Sequence, residues 1–157
     1  YCVGEVSYMK AKDLMSAPAI AVQPETPLKE IVQILSERGI GTVPVVDGAG
    51  RVMGLIGWGE LFPTTRYIKA SDVRAPVLFK RVIDLQTMVE HYKHAAEKTA
   101  QDIMAPCPHC ADVEDRVQEL VKVMVEENLH MLPILNEDRL VGVLTRSDFI
   151  RFLAKVL

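Results

Sequence analysis

The sequence predicts an α+β protein made of two copies of one β-α-β-β-α unit, with a long helix inserted between them. Three observations carry that expectation. Pro44, in Val43-Pro44-Val45-Val46, and Pro133, in Leu132-Pro133-Ile134-Leu135, stand 89 positions apart, and Asp13-Leu14-Met15 precedes Asp102-Ile103-Met104 by the same interval. After each proline a polar turn leads to a second apolar run, Gly54-Leu55-Ile56 in one copy and Gly142-Val143-Leu144 in the other. Before each proline lies a stretch of apolar residues at helical spacing. The same order of periods recurring at one interval is the signature of a duplicated supersecondary unit.

In the first copy, residues 8–62, a short strand is expected at 19–22. Thr26-Pro27 then reads as an N-cap followed by proline at the first helical position, with Leu28, Ile31, Val32 and Leu35 on one face and Gly39 as the stop. Residues 42–46 and 52–56 form a hairpin around Asp47-Gly48-Ala49-Gly50. Pro44 lacks an N–H, so it is expected near a strand end or edge, where an unpaired backbone leaves room for a ligand.

Residues 63–100 form the linker and insertion. Leu78, Val82, Leu85, Val89, Tyr92 and Ala96 recur at alternating spacings of four and three, one apolar stripe on a helix that starts near Pro76. That stripe packs on its own module or pairs with a second chain.

The second copy, residues 101–157, repeats the order. A strand is expected about 107–111, and then Asp112 as cap, with Asp115 answering, for a helix carrying Val113, Val117, Leu120, Val121, Met124 and Val125 and ending near Asn128. Residues 131–135 and 140–144 form a hairpin around Asn136-Glu137-Asp138-Arg139. A last helix from Ser147 is expected to turn Phe149, Ile150, Phe152 and Leu153 inward.

With 157 residues, 49% of them hydrophobic, the chain can bury a core, although either copy alone would be marginal. A net charge of −3 with mixed signs offers no footprint for nucleic acid, and no apolar run approaches the roughly 20 residues of a membrane span. Three cysteines and no signal-peptide pattern suit a reducing, cytoplasmic setting. The first residue is Tyr1 rather than Met, which suggests a piece of a longer protein with a neighbouring domain.

On these residues both copies resemble cystathionine-β-synthase (CBS) domains, and the pair resembles a Bateman module. The resemblance spans about residues 12–61 and 101–157. It rests on Asp-Ile-Met, the capped helix, the apolar-Pro-apolar strand, the run Leu140 to Asp148 and the duplication taken together. It implies two copies packed through their sheets about a pseudo-twofold axis, with clefts for adenosine-containing ligands: AMP, ADP, ATP or S-adenosylmethionine. It also implies a sensor rather than an enzyme, no required cofactor, and a homodimer; a ligand-free dimerisation module with both clefts closed by side chains is the alternative.

Residue by residue, the resemblance implies that Thr145 and Asp148 hold a ribose, a carboxylate being suited to two vicinal hydroxyls. Plain capping by Thr145, Ser147 and Asp148 at a helix start accounts for the same pattern. Met104, His130, Met131, Leu132 and Pro133 are implied to line the adenine slot, although Met131 and Leu132 suit a core equally well. His130 and Arg146 are candidates for phosphate. In the first copy Gly57 and Glu60 replace Thr145 and Asp148, which implies a weaker second cleft. Trp58 there stacks on a base, fills the cleft or covers a dimer surface.

Competing chemistry centres on Cys107-Pro108-His109-Cys110. The spacing fits a redox pair or part of a metal site, with Cys2 or a second chain supplying a further ligand, as well as ordinary strand residues. His91 and His94 read as part of a solvated face. Gly54, Gly57 and Gly59 stand in the wrong order for a dinucleotide-binding loop, and no catalytic triad, carboxylate pair or phosphate loop is present.

Overall fold

The computed structural model describes residues 8–61, 89, 93, 97–107 and 109–156. In chain order the described elements are α1 (Ala11–Leu14), α2 (Leu28–Arg38), β1 (Thr42–Val46), β2 (Val52–Gly57), α3 (Trp58–Leu61), α4 (Ala100–Ile103), β3 (Ala111–Asp112), α5 (Val117–Glu126), β4 (Met131–Asn136), β5 (Arg139–Thr145) and α6 (Arg146–Val156). They belong to two compact units. One takes in the described chain up to Ala21, Val46–Gly54 and the chain from Pro106 onward; the other takes in Val22–Val45 and the described part of Leu55–Ala105.

In the first of these units β4 and β5 form an antiparallel hairpin, with Met131 opposite Thr145 and Asn136 opposite Arg139. The two-residue β3 lies parallel on the other side of β4. The segment after α1 adds an antiparallel bridge to β5: the Ser16 N–H donates to the Val143 carbonyl at 2.9 Å, and the Val143 N–H returns the bond at 3.0 Å. Upstream, the N–H groups of Ala11 and Lys12 donate to the carbonyls of Asp115 and Val113. Lys10 and Lys12 both pair with Glu114. These backbone bonds fasten the amino-terminal segment to the second copy. The core gathers Ala11, Ala111, Leu120, Met124, Leu132, Ile134 and Leu144, with Phe149 packed against it. Each fully buried leucine or isoleucine there contributes about 1.5–3 kcal/mol.

The other unit is built in the same way. Helix α2 ends on Gly39, whose φ of 61° is the left-handed conformation a glycine cap adopts freely. Val22 bridges Val45 in parallel, and Leu55 and Ala105 exchange both backbone hydrogen bonds. Its core is Val22, Ile31, Leu35, Val43, Val45, Ile56 and Ala100, with Met104 packed against it. The Asp102 segment thus joins the first copy's helix and hairpin, as the Asp13 segment joins those of the second.

Several expectations need correction. The N-cap of α2 is Pro27, because the Thr26 hydroxyl instead accepts the Gln23 N–H at 3.0 Å. Helix α5 begins at Val117 and not at Val113. Asp112 accepts the Glu114 N–H and Asp115 accepts the Asp112 N–H, and the two side chains build a turn one helical step earlier. Pro44, expected near a strand end or edge, is fully buried in the middle of β1, which pairs with β2 and is bridged to Val22 through Val45. Pro133 is likewise buried in the middle strand of its sheet. It is tolerated there because β3 pairs only from Ile134 onward, so the missing N–H interrupts no ladder. Ile150 and Leu153 on α6 are 66% and 50% exposed; the face presented to the core is that of Asp148, Phe149 and Phe152, and a 100° step per residue turns the other two away. Val32 and Val125 are likewise exposed. Of the insertion stripe, only Val89 is described, helical and 46% exposed; Leu78, Val82, Leu85, Tyr92 and Ala96, and likewise His91 and His94, lie outside the described residues.

Gly142 is the tightest point between the amino-terminal segment and β5. A Cβ there would stand 2.6 Å from Met15 Sδ and 3.0 Å from the Ser16 carbonyl oxygen. The methionine tip can swing aside and the backbone cannot. Gly142→Ala is therefore expected to destabilise the protein by about 1–3 kcal/mol in urea unfolding, as overpacking does.

Candidate functional site

Asp148 is the one buried charged residue among the described core, 2% exposed, in the first turn of α6. Its Oδ2 accepts the backbone N–H and the hydroxyl of Thr145, both at 2.6 Å. Its Oδ1 accepts the Ser16 hydroxyl at 2.8 Å and pairs with the Arg151 guanidinium. The carboxylate is thus engaged on both oxygens by three parts of the chain. Burial raises its pKa, and the bonds from Thr145, Ser16 and Arg151 outweigh that penalty, so the net shift is downward. The group stays ionised.

Beside it opens a cleft of about 330 Å³ whose lining includes Asp13, Met15, Ser16, Asp148, Arg151 and Lys155. Arg151 and Lys155 stand three and seven positions after Asp148 on α6, so all three share one helix face. The cleft therefore joins a fixed carboxylate, a hydroxyl and two cationic side chains. Such a set can accept from a diol and donate to an anion.

The structure brings only part of the expected site to this cleft. Thr145 supports Asp148 directly. Ser147 is exposed, and the cap is made by Asp148 and Thr145. Arg146 reaches the Leu129 carbonyl at 3.1 Å and Asn128 Oδ1 at 2.9 Å, holding the turn between α5 and β4. His130 is exposed, while Met131, Leu132 and Pro133 are buried, with Leu132 in the core; none of the four lines the cleft. Met104 belongs to the other unit. The methionine beside Asp148 is Met15, its counterpart 89 positions earlier. Met15, Ser16, Arg151 and Lys155 were missed by the sequence reading. The signal for the last two was their spacing from Asp148; for the first two it was the duplication itself.

In the first copy, Glu60 Oε2 accepts the Gly57 N–H at 2.8 Å, the same cap that Asp148 gives Thr145. A Cβ at Gly57 would stand 2.8 Å from the Thr42 hydroxyl oxygen, so a hydroxyl from the neighbouring strand takes the space where the second copy has a threonine side chain. Trp58 is 69% exposed. Its ring lies 3.8 Å from where a Cβ on Gly41 would be.

Cys107 and Cys110 are half-buried free thiols in the irregular segment before β3; the strand expected over 107–111 begins only at Ala111. Among the described residues no three His, Cys, Asp or Glu side chains converge on a metal-sized site, and no helix is long and apolar enough to cross a membrane.

Comparison with known proteins agrees with this architecture. The CBS domain model matches residues 11–62 and 100–155, and the chain belongs to the CBS-domain family. It is 30% identical over 148 residues to a CBS domain-containing protein of Dictyostelium discoideum, covering 93% of this chain and 92% of that one. Among solved structures it is similar to CBSX2 in complex with AMP, with a TM-score of 0.69 and 19% identity over 94% of this chain and 97% of that one. It is also similar to the CBS domain pair of protein MJ0100 in complex with 5-methylthioadenosine and S-adenosyl-L-methionine, with a TM-score of 0.68 and 20% identity over 96% and 99%.

Because the folded pKa of Asp148 is depressed, the stability it supplies is present above its unfolded value of about 3.9 and is lost as pH falls through the lower folded value. Asp148→Asn is expected to cost about 1–3 kcal/mol at neutral pH, the range for disrupting buried hydrogen bonds. Urea melts at several pH values should also show a flatter acid limb in the variant. An unchanged limb would mean that the carboxylate carries no such linkage.

Proposed function

We propose that the protein is a regulatory ligand-binding module that takes an adenosine-containing molecule in the cleft beside Asp148. The observation that carries this reading is the conjunction, in one cleft, of an ionised buried carboxylate with Ser16, Arg151 and Lys155. The ligands of CBSX2 and MJ0100, AMP in one and two adenosine thioethers in the other, support the ligand class.

In this reading the ribose hydroxyls replace Ser16 and Arg151 at Oδ1, while Thr145 keeps Oδ2 in place. Arg151, released, turns with Lys155 to the phosphate. Each donor lost at Oδ1 is replaced by another, so the carboxylate is never left bare. A ligand shifts a conformational equilibrium only by its differential affinity for the two states, and here the state with Arg151 swung toward phosphate is the one it favours. The signal passes through α6 to contacts with a second chain, for which the exposed Ile150 and Leu153 are available. The module acts by binding rather than by catalysis, works in the cytoplasm as a homodimer, and requires no cofactor. The cleft over Gly57, Trp58 and Glu60 is the weaker of the two.

Calorimetry with AMP, ADP, ATP, adenosine, methylthioadenosine and S-adenosylmethionine tests the proposal. At least one is expected to bind. If a phosphate is part of the ligand, Arg151→Ala weakens AMP by roughly tenfold, the loss of one charge-assisted hydrogen bond, and adenosine by much less. No heat with any of the six, together with an Asp148→Ala variant that melts with the same unchanged ligand response, overturns it.

A further inference from the structure

Apart from the cleft, the described chain brings two chemically reactive side chains together at Cys107 and Cys110. Their sulfurs are 3.1 Å apart in van der Waals contact or closer, and both are half-buried, so each is within reach of a small solute. The Cys107 thiol also lies 3.2 Å from the His109 carbonyl oxygen. A disulfide requires the sulfurs at about 2.05 Å, a closing of roughly 1 Å. Cys107, His109 and Cys110 belong to no regular element, and β3 begins immediately after Cys110. Closing the pair breaks no described ladder.

The two sulfurs are not equivalent. The hydrogen bond from the Cys110 thiol lowers the Cys107 pKa to about 7 against the opposing effect of burial. The same bond, together with burial and the neighbouring charge, pushes Cys110 upward. A thiol with a pKa near ambient pH is close to the optimum for attack on a disulfide, combining thiolate population with nucleophilicity. No long helix begins at Cys107, so the partner thiol, and not a helix dipole, is the source of the asymmetry. The His109 Nδ1 faces Glu127 Oε1 at 4.0 Å.

We propose that Cys107 and Cys110 form a reversible dithiol–disulfide site that exchanges with low-molecular-weight disulfides, Cys107 attacking and Cys110 resolving. The Cys107 thiolate attacks one sulfur of the small disulfide, forms a mixed disulfide and expels one thiolate. Cys110, giving up its proton to solvent, attacks the Cys107 sulfur, forms the intramolecular bond and expels the second thiolate. The two protein thiols are oxidised by two electrons; the small disulfide is reduced to two thiols, which take up the two protons.

The test uses the full chain with Cys2→Ser, so that these two thiols alone react, and oxidised glutathione as the probe. Mass spectrometry is expected to show loss of two hydrogens without an adduct, and peptide mapping a link from Cys107 to Cys110. With Cys110→Ser a glutathione adduct is expected to persist on Cys107. With Cys107→Ser reaction at neutral pH is expected to slow by about three- to fourfold, because a return toward a pKa of about 8.5 cuts the thiolate population while the greater nucleophilicity of the more basic thiolate restores part of the rate. Alkylation of Cys107 should be half-maximal near pH 7 and shift upward in Cys110→Ser. Thiols that remain free through a redox titration, a bond to a second chain, or a stable adduct on both cysteines of the Cys2→Ser chain would overturn the proposal. Circular dichroism of each variant keeps a folding defect distinct from these outcomes.

Discussion

A buried carboxylate must be bonded on every side or it will not stay charged, and in this protein that requirement falls on Asp148. Its four partners come from the segment after α1, from the end of β5 and from α6. Satisfying one residue therefore fixes the start of α6 against β5 and draws the amino-terminal segment to the same place. The Ser16–Val143 bridge and the packing of Gly142 against Met15 hold that segment from the backbone side. The cleft exists because these three parts meet there and because Arg151 and Lys155 follow Asp148 at helical spacing.

The same arrangement gives the site its capacity for exchange. Oδ2 is committed to the backbone and hydroxyl of Thr145, and these belong to the cap of α6. Oδ1 is held by two side chains, one of them 63% exposed, that can move without disturbing a strand or a helix. In the proposed mode of binding, a polar ligand would meet one fixed half of the carboxylate and one negotiable half. In the first copy the corresponding acid is Glu60, one methylene longer, and the Thr42 hydroxyl of the neighbouring strand stands where a side chain at Gly57 would go. Duplication kept the cap in both copies and varied what surrounds it.

Much of the fold was legible because it is written in local periods. The hairpins of both copies, the Gly39 stop and the duplication followed from spacing and turn residues. What was not legible was long-range. Nothing local tells that the Asp13 segment joins the second copy's helix and hairpin, nor that Met15 rather than Met104 stands beside Asp148. Periodicity likewise marked Ile150 and Leu153 as apolar without saying that Asp148, Phe149 and Phe152 would take the inward face. Asp148 and Thr145 were legible from their motif; the structure shows that the cap is made and that a cleft lies beside it.

The most direct measurement is a nuclear magnetic resonance titration of the isotope-labelled chain with AMP, following backbone amides and the guanidinium signal of Arg151. The account predicts that the largest changes cluster at Met15, Ser16, Thr145, Asp148 and Arg151, with the core amides of Leu132 and Ile134 nearly still. Saturable changes confined to residues remote from Asp148, or none at millimolar nucleotide, would contradict it.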